Sequence, residues 1–513
     1  MKTYFTLLLA FIFGSLCAQS ELLIEVRDIE TSEPISFATA RIKDSQRGLV
    51  ADFFGQFRYP ISNINDAPVL VLNSLGYQPL EVDLRTLNSK IINVITLTPQ
   101  IETLDAVILR VSKKNLKPIL ESTKRMTAYE LVYKAVHSIT ENLPKQPHSN
   151  IGYYRDYQYF DNQYFNLNEG ILEQFDSGIN SLKLIDSTNQ SVFYEFGNNS
   201  VFKVNPEFSK AYNGKSKFVQ GAKILSFGGN ELSILNVHNP IRNFDQNSFS
   251  FVYHLNKEFL QLHKFERSKV FFKDDDPLVT ITFTNDHKAT SYKHKVVGSI
   301  ILSLRDFSIY AFNYTVNDVD KSNPIFTVKI EYQRYSDEMH LSYISFNNRF
   351  VVADNDVFKE SKVTYNPSDK YFELTFNSNI DFKTVRNRSF RIEFQRNRIK
   401  IKDRQIVNDS TLRLFIDDSH GLYSNLGKEE MKYLNFMVRN LKDMTGREIY
   451  KPQVKIVYQF REYFVQEIFE NKLLNTNLNF VDKMKPLRGQ KLNKLEIKNS
   501  YILNTPLRST KVD

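Results

Sequence analysis

Short strand-like runs, broken at regular intervals by turn residues, constrain the first hundred residues of this chain more than any other feature. Residues 23–28 and 57–59 alternate between apolar and polar side chains, and residues 69–72 are apolar throughout. Turn-forming residues such as Pro34 and Gly55 separate these runs. Alternation with a period of two, bounded by such turns, is typical of β-strands. The spacing predicts a small β-sandwich over residues 20–109.

Two clusters in this stretch resemble a known domain family. They are the residues Asp52, Gly55 and Phe57, and the Ser-Leu-Gly-Tyr sequence at 74–77. On these residues the stretch resembles the carboxypeptidase-D regulatory-like domain that heads many envelope proteins of Bacteroidetes bacteria. The resemblance implies a transthyretin-like sandwich without catalysis of its own, in an exported envelope protein. Residues 127–169 also resemble the region that follows this domain in such proteins, and the resemblance extends, less specifically, through Phe350 and again over residues 461–469.

The first 18 residues have the features of a secretory signal. Lys2 precedes an apolar run at 5–13, and small residues follow up to Ala18. This run is shorter than the about 20 residues that a membrane-spanning helix needs. We therefore expect cleavage after Ala18, export to the periplasm or outer membrane, and no transmembrane helix in the mature chain. Lipidation of Cys17 is the alternative, which the bulky Leu16 before it disfavours.

Beyond the sandwich, the pattern predicts a mainly β chain with a few helices (α+β), dominated by a large curved antiparallel sheet. A capping box at Thr127 and Glu130 predicts a helix start. An apolar stripe at helical spacing predicts another helix over 428–444. Pro118 argues against regular structure in the linker. The expected regions are a linker at 110–126, a helix with an antiparallel meander at 127–382, an α+β region at 383–482 and a basic tail at 483–513, expected to be extended or partly disordered.

The charge balance excludes one class of partner. The chain has 67 Lys and Arg against 58 Asp and Glu, a net charge of +9. No basic platform interleaved with aromatic residues occurs, so nucleic acid is not expected as a partner. One basic cluster stands out, and we interpret it as a solvated face, with acidic lipid headgroups or polysaccharide as the alternative ligands. Its members are Arg386, Arg388, Arg391, Arg396, Arg398 and Lys400.

Arg155 and Glu169 are the candidate site residues. Each one interrupts an aromatic, strand-like run. Opposite charges on facing strands can pair across a sheet. A structural ion pair at a sheet edge is favoured over a ligand site for these two residues.

The sequence contains one His-x-x-Glu pair, which is the candidate zinc site. His263 and Glu266 match the zinc-binding pair of metallocarboxypeptidases, with His340 or His420 as a third ligand. On a strand, residues three apart point to opposite faces, so we expect no catalytic zinc. The three carboxylates at 274–276 can supply ligands for Ca²⁺, but they are better explained as a turn. We expect no metal and no cofactor.

These features favour a non-catalytic, exported envelope protein that acts as a binding or adaptor module for a protein or a glycan. Its partner is expected to be an envelope protein or polysaccharide, and peripheral membrane association stays open. The alternative is a periplasmic lipid or lipoprotein carrier, whose sheet is expected to leave an apolar pocket of several hundred Å³ uncovered. A zinc metallocarboxypeptidase is the third and least favoured interpretation.

Overall fold

The computed structural model describes the chain in segments: residues 21–45, 47–61, 64–100, 116–181, 189–212, 217–219, 230–246, 254–273, 275–285, 294–318, 324–353, 357–418, 430–452, 454–494 and Tyr501. Within them the chain is mainly β, with antiparallel sheets and a few short helices, which confirms the predicted fold class. The chain divides into two compact units. Unit 1 comprises Met1–Tyr212, Val219–Phe350 and Val457–Asp513, and unit 2 comprises Asn213–Phe218 and Val351–Ile456.

Residues 21–100 form a two-sheet module, called here the N-terminal module. One sheet has the order β4-β1-β7 and the other β3-β2-β5-β6. Both contribute to one core, in which Ile24, Phe57 and Leu70 are fully buried. Gly55 has a φ of +73°, which favours glycine, and a Cβ there would lie 2.6 Å from a backbone oxygen. The strands are β1 Glu21–Asp28, β2 Thr39–Ile42, β3 Gly48–Val50, β4 Gln56–Pro60, β5 Val69–Asn73, β6 Leu80–Asp83 and β7 Ile92–Leu97.

The large sheet has 11 strands, ten of them in the continuous order β10-β9-β8-β25-β17-β16-β15-β14-β13-β12. The eleventh strand, β11, pairs with the end of β17 at Val351 and Val352. On one side of β25 the strands β8 to β10, and on the other side β12 to β17, follow one another along the chain as antiparallel neighbours, as expected for a meander. The bounds are β8 His148–Phe160, β9 Gln163–Asp176, β10 Gln190–Asn198, β11 Lys217–Phe218, β12 His263–Lys273, β13 Asp276–Asn285, β14 His294–Ser303, β15 Ile309–Asp318, β16 Pro324–Tyr335, β17 Glu338–Ala353 and β25 Val454–Phe469.

The helices are short and belong to unit 1. The capping box is confirmed, because Thr127 and Glu130 bond reciprocally at the start of α2. The expectation of no regular structure over 110–126 is wrong for its second half, where Pro118 stands in the first turn of α1, the one place in a helix that tolerates it. The helices are α1 Lys117–Lys124, α2 Ala128–His137, α3 Ile139–Asn142, α4 Glu231–Val237 and α5 Glu258–Leu262.

Unit 2 contains two further small sheets, of order β18-β19-β23-β22 and β21-β20-β24, which share one core. The region boundary expected at 382–383 falls inside this unit. The helix predicted over 428–444 is wrong, because residues 434–438 form a strand paired with β20. Its strands are β18 Glu360–Asn366, β19 Tyr371–Phe376, β20 Phe390–Phe394, β21 Asn397–Ile399, β22 Ile401–Asn408, β23 Thr411–Ile416 and β24 Leu434–Val438. Single 3₁₀ turns lie at Leu84–Thr86, Phe382–Thr384, Asn387–Ser389 and Glu430–Tyr433.

Some predictions concern residues outside the described ranges. The signal segment, Cys17, the first half of the linker and most of the basic tail lie there. The described part of the tail reaches residue 494, and the Asn493 amide donates to the Phe193 carbonyl of β10. Among the described helices, each is too short or too polar to cross a bilayer.

Candidate functional site

The central strands β8, β25 and β17 present two faces that differ in what covers them. We call the face covered by the N-terminal module the module face; Phe37 and Phe53 pack there, with ring centroids 5.8 Å from Tyr343 and Phe460 respectively. We call the opposite face the helix face, because α4 packs on it. There the His238 ring, which follows α4, stacks on Phe346 at 3.7 Å. Side chains alternate between the faces because a strand has a period of two.

Arg155 lies on the module face with no solvent exposure. Its Nη2 donates to Glu462 Oε2 of β25 at 2.7 Å. The other oxygen of Glu462 accepts from the Tyr157 hydroxyl at 2.9 Å. Burial would lower the pKa of Arg155, but the Glu462 carboxylate outweighs it and holds that pKa well above its ordinary value. The arrangement is a sealed ion pair, which suits a structural role.

Arg155 and Glu169 lie directly opposite one another in the β8–β9 register, as predicted for facing strands, but both strands are interior strands of the large sheet, so the predicted sheet-edge position is wrong. Glu169 accepts from the Tyr153 hydroxyl at 2.7 Å and from the Asn199 amide at 2.9 Å. Burial raises the pKa of Glu169, and these hydrogen bonds oppose the rise. The partner that sequence reasoning missed is Glu462, which lies 307 positions from Arg155 along the chain.

A second buried arginine, Arg461, lies on the helix face with no solvent exposure. Its Nε donates to Glu231 Oε2 of α4 at 2.5 Å, and its Nη1 donates to Asn348 Oδ1 at 2.7 Å. Asp156 is its register partner on β8, yet accepts from neutral groups, the Tyr154 hydroxyl at 3.1 Å and the Asn168 amide at 2.9 Å. Burial, assisted by the Glu231 charge, raises the pKa of Asp156 to about 7.

Asp52 joins the N-terminal module to the module face. Its carboxylate caps its own turn by accepting from the Phe54 and Gln56 amides, each at 2.9 Å. It also accepts from the Tyr164 hydroxyl of β9 at 2.6 Å. Burial raises the pKa of Asp52 to about 6, against the opposing effect of these hydrogen bonds. A residue that carries the family resemblance is therefore also a contact between the module and the sheet.

A cavity of about 410 Å³ opens between the N-terminal module and the ends of β16 and β25. We call it the Tyr335–Tyr501 cleft. Its volume lies in the range of small-molecule sites. The lining combines two tyrosines with amide, hydroxyl and charged groups. It consists of Ser45, Arg47, Gln333, Tyr335, Gln466, Glu467, Ile468 and Tyr501.

Strand irregularities position the cleft residues. The β25–β8 register shifts between Val465 and Glu467, and the β16–β17 register shifts between Glu331 and Tyr332. A bulge re-aims the side chains next to it and is frequent beside functional sites. The Tyr501 hydroxyl donates to Glu467, which fixes that carboxylate at the cleft wall. Because bulges arise from tertiary pairing, alternation along the strands carries no signal for this site.

His263 and Glu266, the pair considered for zinc, point to different sides of β12. His263 is buried, with Nδ1 2.9 Å from the Phe259 carbonyl oxygen and Nε2 2.9 Å from the Tyr314 hydroxyl, whereas Glu266 is exposed. This agrees with the expected alternation. Among the described residues, no group of three or more His, Cys, Asp or Glu side chains is arranged to hold a metal ion.

His340, considered as a third zinc ligand, lies elsewhere in unit 1. It lines a small cavity of about 40 Å³ together with His148, and the two rings lie 5.1 Å apart. Burial, together with His148, lowers the pKa of His340 to about 4. The other proposed third ligand, His420, is outside the described residues. A cavity of this size accommodates water rather than a substrate.

The carboxylates at 274–276 and the basic cluster at 386–400 have structural explanations that need no ligand. Asp276 is buried and accepts from the Ser303 hydroxyl at 2.7 Å and the Tyr310 hydroxyl at 2.9 Å, in keeping with a structural turn. Asp274 lies outside the described residues. The six cations of the basic cluster are all exposed, as expected for a solvated face.

The apolar layer expected of a lipid carrier is covered over β12–β15. Phe259 of α5 inserts among aromatic rings of the sheet, with centroids 5.2 Å from Phe283 and 5.8 Å from Phe312. We expected a carrier to leave such a layer open, so this part of the sheet does not favour one.

Comparisons with known proteins add little. No family model matches the chain, and no curated protein matches it. One similar solved structure is titled "The complex structure of Pseudomonas aeruginosa MucA/MucB", with 8% identity, 60% of this chain and 98% of that chain covered, and a TM-score of 0.17. Another, "Crystal structure of MucB in complex with MucA(peri)", has 6% identity, the same coverage and a TM-score of 0.15. Likenesses this weak support no inference about fold or function.

Proposed function

We propose that this chain is an exported, non-catalytic binding protein that recognises a glycan unit of the cell envelope in the Tyr335–Tyr501 cleft. The observation that carries the proposal is the cleft itself, a cavity of about 410 Å³ with an aromatic and polar lining. Export rests on the signal-like residues 1–18 and on the family resemblance of the N-terminal module.

The lining groups match the chemistry of a sugar ring. Tyr335 is 41% exposed and offers a flat apolar face together with a hydroxyl. The amides of Gln333 and Gln466 each combine donor and acceptor atoms, which suits the paired hydroxyls of a sugar. Arg47 and Glu467 add one group of each charge sign, so the cleft favours a polar ligand over a lipid tail.

The buried charged residues of the central sheet support binding rather than catalysis. Arg155 and Arg461 are both sealed from solvent, and each holds a carboxylate partner. Glu467, the carboxylate that does reach the cleft, accepts from the Tyr501 hydroxyl. These groups position one another and leave recognition as the role that the cleft supports best.

A segment of an envelope protein is the second candidate ligand. The cleft lies at the ends of β16 and β25, where an extended peptide can reach the same amide groups. A protein segment contacts the same cleft residues as a glycan, so one set of variants tests both ligands.

Calorimetric titration of the full mature chain with oligosaccharides released from envelope glycans tests the proposal. We expect Tyr335→Ala to weaken binding at least about tenfold, since a central aromatic contact commonly contributes more than 1 kcal/mol. Tyr129→Ala, which removes a tyrosine of similar exposure (47%) on α2, is the matched control and should bind as the wild type does.

Two outcomes contradict the glycan proposal. If no oligosaccharide binds, while an envelope protein co-purifies with the wild type and not with Tyr335→Ala, the protein ligand replaces the glycan. If Tyr335→Ala and Gln333→Ala both bind oligosaccharides as the wild type does, the cleft is not the site.

A further inference from the structure

Most of the net charge of the chain resides in one short stretch of unit 2. Residues 383–404 contain nine basic residues and two acidic ones, Glu393 and Asp403, which gives 9 − 2 = +7, against +9 for the whole chain. All nine basic side chains are exposed. They are Lys383, Arg386, Arg388, Arg391, Arg396, Arg398, Lys400, Lys402 and Arg404.

The fold gathers seven of these residues along one side of unit 2. The strands β21 and β22 are consecutive in the chain, and each is the outermost strand of its own sheet. The turn at Asn387–Ser389 lies on the same side as β22, because Arg404 Nη1 donates to Asn387 Oδ1 at 2.5 Å. We call this surface the basic edge; it comprises Arg386, Arg388, Arg396, Arg398, Lys400, Lys402 and Arg404.

Few carboxylates neutralise this stretch. Arg391 bonds Glu393 on the outer face of β20 at 2.7 Å. Lys400 lies 3.6 Å from Asp417, and its side chain is 79% exposed. Edge strands are commonly protected against aggregation by charged side chains, lysine above all, whereas five of the seven basic-edge residues are arginines. The nearly uniform positive sign indicates a polyanionic partner.

Exposed apolar and aromatic side chains border the basic edge. Ile406 and Val407 continue β22 and are 53% and 42% exposed. Tyr433 is 69% exposed, and the next residue, Leu434, pairs with Phe394 beside the hairpin turn that carries Arg396. A soluble acidic polysaccharide offers little apolar surface to aliphatic side chains such as Ile406 and Val407, whereas a bilayer interface accepts both them and tyrosine.

We propose that the basic edge docks unit 2 on the anionic headgroups of a lipid bilayer. Arginine forks bind phosphate oxygens in pairs, and Ile406 and Val407 enter the interfacial layer. The inference is independent of the cleft in unit 1, and either one can fail without the other.

Co-sedimentation of the full mature chain with vesicles tests the proposal. We expect binding to phosphatidylcholine vesicles that contain about 30% phosphatidylglycerol, weak binding to phosphatidylcholine alone, and release at about 1 M salt. The triple variant Arg396→Ala, Arg398→Ala, Lys402→Ala should bind about a hundredfold more weakly, at about fivefold for each cation.

The matched control removes three exposed lysines of unit 1 in the variant Lys90→Ala, Lys257→Ala, Lys264→Ala. It changes the net charge equally and should keep vesicle binding within a fewfold of the wild type. An equal loss in both triple variants overturns the proposal, because net charge alone then explains binding. Equal binding to both vesicle types also overturns it.

Two further results distinguish the bilayer from a soluble polyanion. Ile406→Asn with Val407→Asn should weaken vesicle binding, and unchanged binding contradicts their entry into the interface. If a soluble polyuronate displaces the chain from vesicles and itself binds more tightly, an anionic polysaccharide is the partner and the bilayer proposal fails.

Discussion

Two opposite charge pairs occupy adjacent positions of β8 and β25, on opposite faces of the same sheet. Arg155 is the register partner of Glu462 on the module face, and Asp156 is the register partner of Arg461 on the helix face. On the module face the partners bond directly, at 2.7 Å. On the helix face Arg461 instead bonds Glu231 of α4.

The difference shows that strand register sets which residues face each other, while the covering layer decides which of them pair. Over the module face, Tyr157 and Tyr343 both donate to Glu462 and complete its shell. Over the helix face, α4 brings a second carboxylate to Arg461. Asp156 is then left with neutral donors and a pKa raised to about 7 by burial and by Glu231.

The largest effect is expected for Glu462→Gln. The variant keeps an acceptor for the tyrosines but removes the Glu462 charge, which bonds the fully buried Arg155 directly. Removal of one partner of a buried ion pair costs about 3–5 kcal/mol of unfolding free energy. Denaturant unfolding at pH 7 measures the loss.

Two further variants test whether the loss in Glu462→Gln comes from the buried charge of Arg155. Glu393→Gln removes a strand carboxylate whose arginine partner is 53% exposed, and should cost less than about 1 kcal/mol. Adding Arg155→Met to Glu462→Gln should restore part of the stability, since no buried charge then lacks a partner. If the double variant is less stable than the single one, Arg155 contributes more through its other contacts than through Glu462.

Local signals in the sequence predicted the N-terminal module and the start of α2. Pro34 and Gly55 mark turns there, and the Thr127–Glu130 box acts within a single helical turn, so neighbouring residues carry the information. The strand β24 shows the limit. Leu434 and Val438 fit a helical stripe, but in the strand paired with β20 the residues Leu434, Phe436 and Val438 contact the core with a period of two. Tertiary pairing overrides a short periodic pattern.

The candidate site around Arg155 was predictable only in part, because tertiary pairing also determines which residues meet there. Arg155 stood out as a charge in an aromatic strand, and its burial follows from that. The adjacent Arg461 and Glu462 lie in a similar apolar run and carried the same signal. Their assignment to opposite faces needed the register of β25 with β8, across about 300 residues of chain, which no local pattern supplies.

A smaller loss is expected for Glu231→Gln. Arg461 keeps Asn348 as an acceptor, and the Glu231 side chain is 24% exposed, so the cost should be about 2 kcal/mol. Denaturant unfolding at pH 7 measures it beside Glu462→Gln. A loss equal to that of Glu462→Gln contradicts the distinction between the two faces.

The smallest effect, and the one with a distinctive pH dependence, is expected for Asp156→Asn. The pKa of Asp156 is raised to about 7 by burial and by the Glu231 charge, above the value of about 3.9 for an unfolded chain. Between these values the native state binds more protons than the unfolded state, so the contribution of Asp156 to stability is lost as the pH rises towards 7. Asparagine does not titrate. The stability of the variant relative to the wild type should therefore rise by about 1–2 kcal/mol between pH 6 and pH 8.

The same substitution in the Glu231→Gln background decides whether the two carboxylates compete for Arg461. Without the Glu231 charge, the pKa of Asp156 falls, because that charge helps to raise it. Asp156 is ionised at pH 8 in both backgrounds, but without Glu231 it becomes the nearby counter-charge of Arg461. Asp156→Asn should now destabilise the protein, so its effect reverses sign between the two backgrounds, and a double-mutant cycle measures the difference. An effect of equal size and sign in both backgrounds means that α4 does not control the pairing of Arg461, and that register alone accounts for both faces.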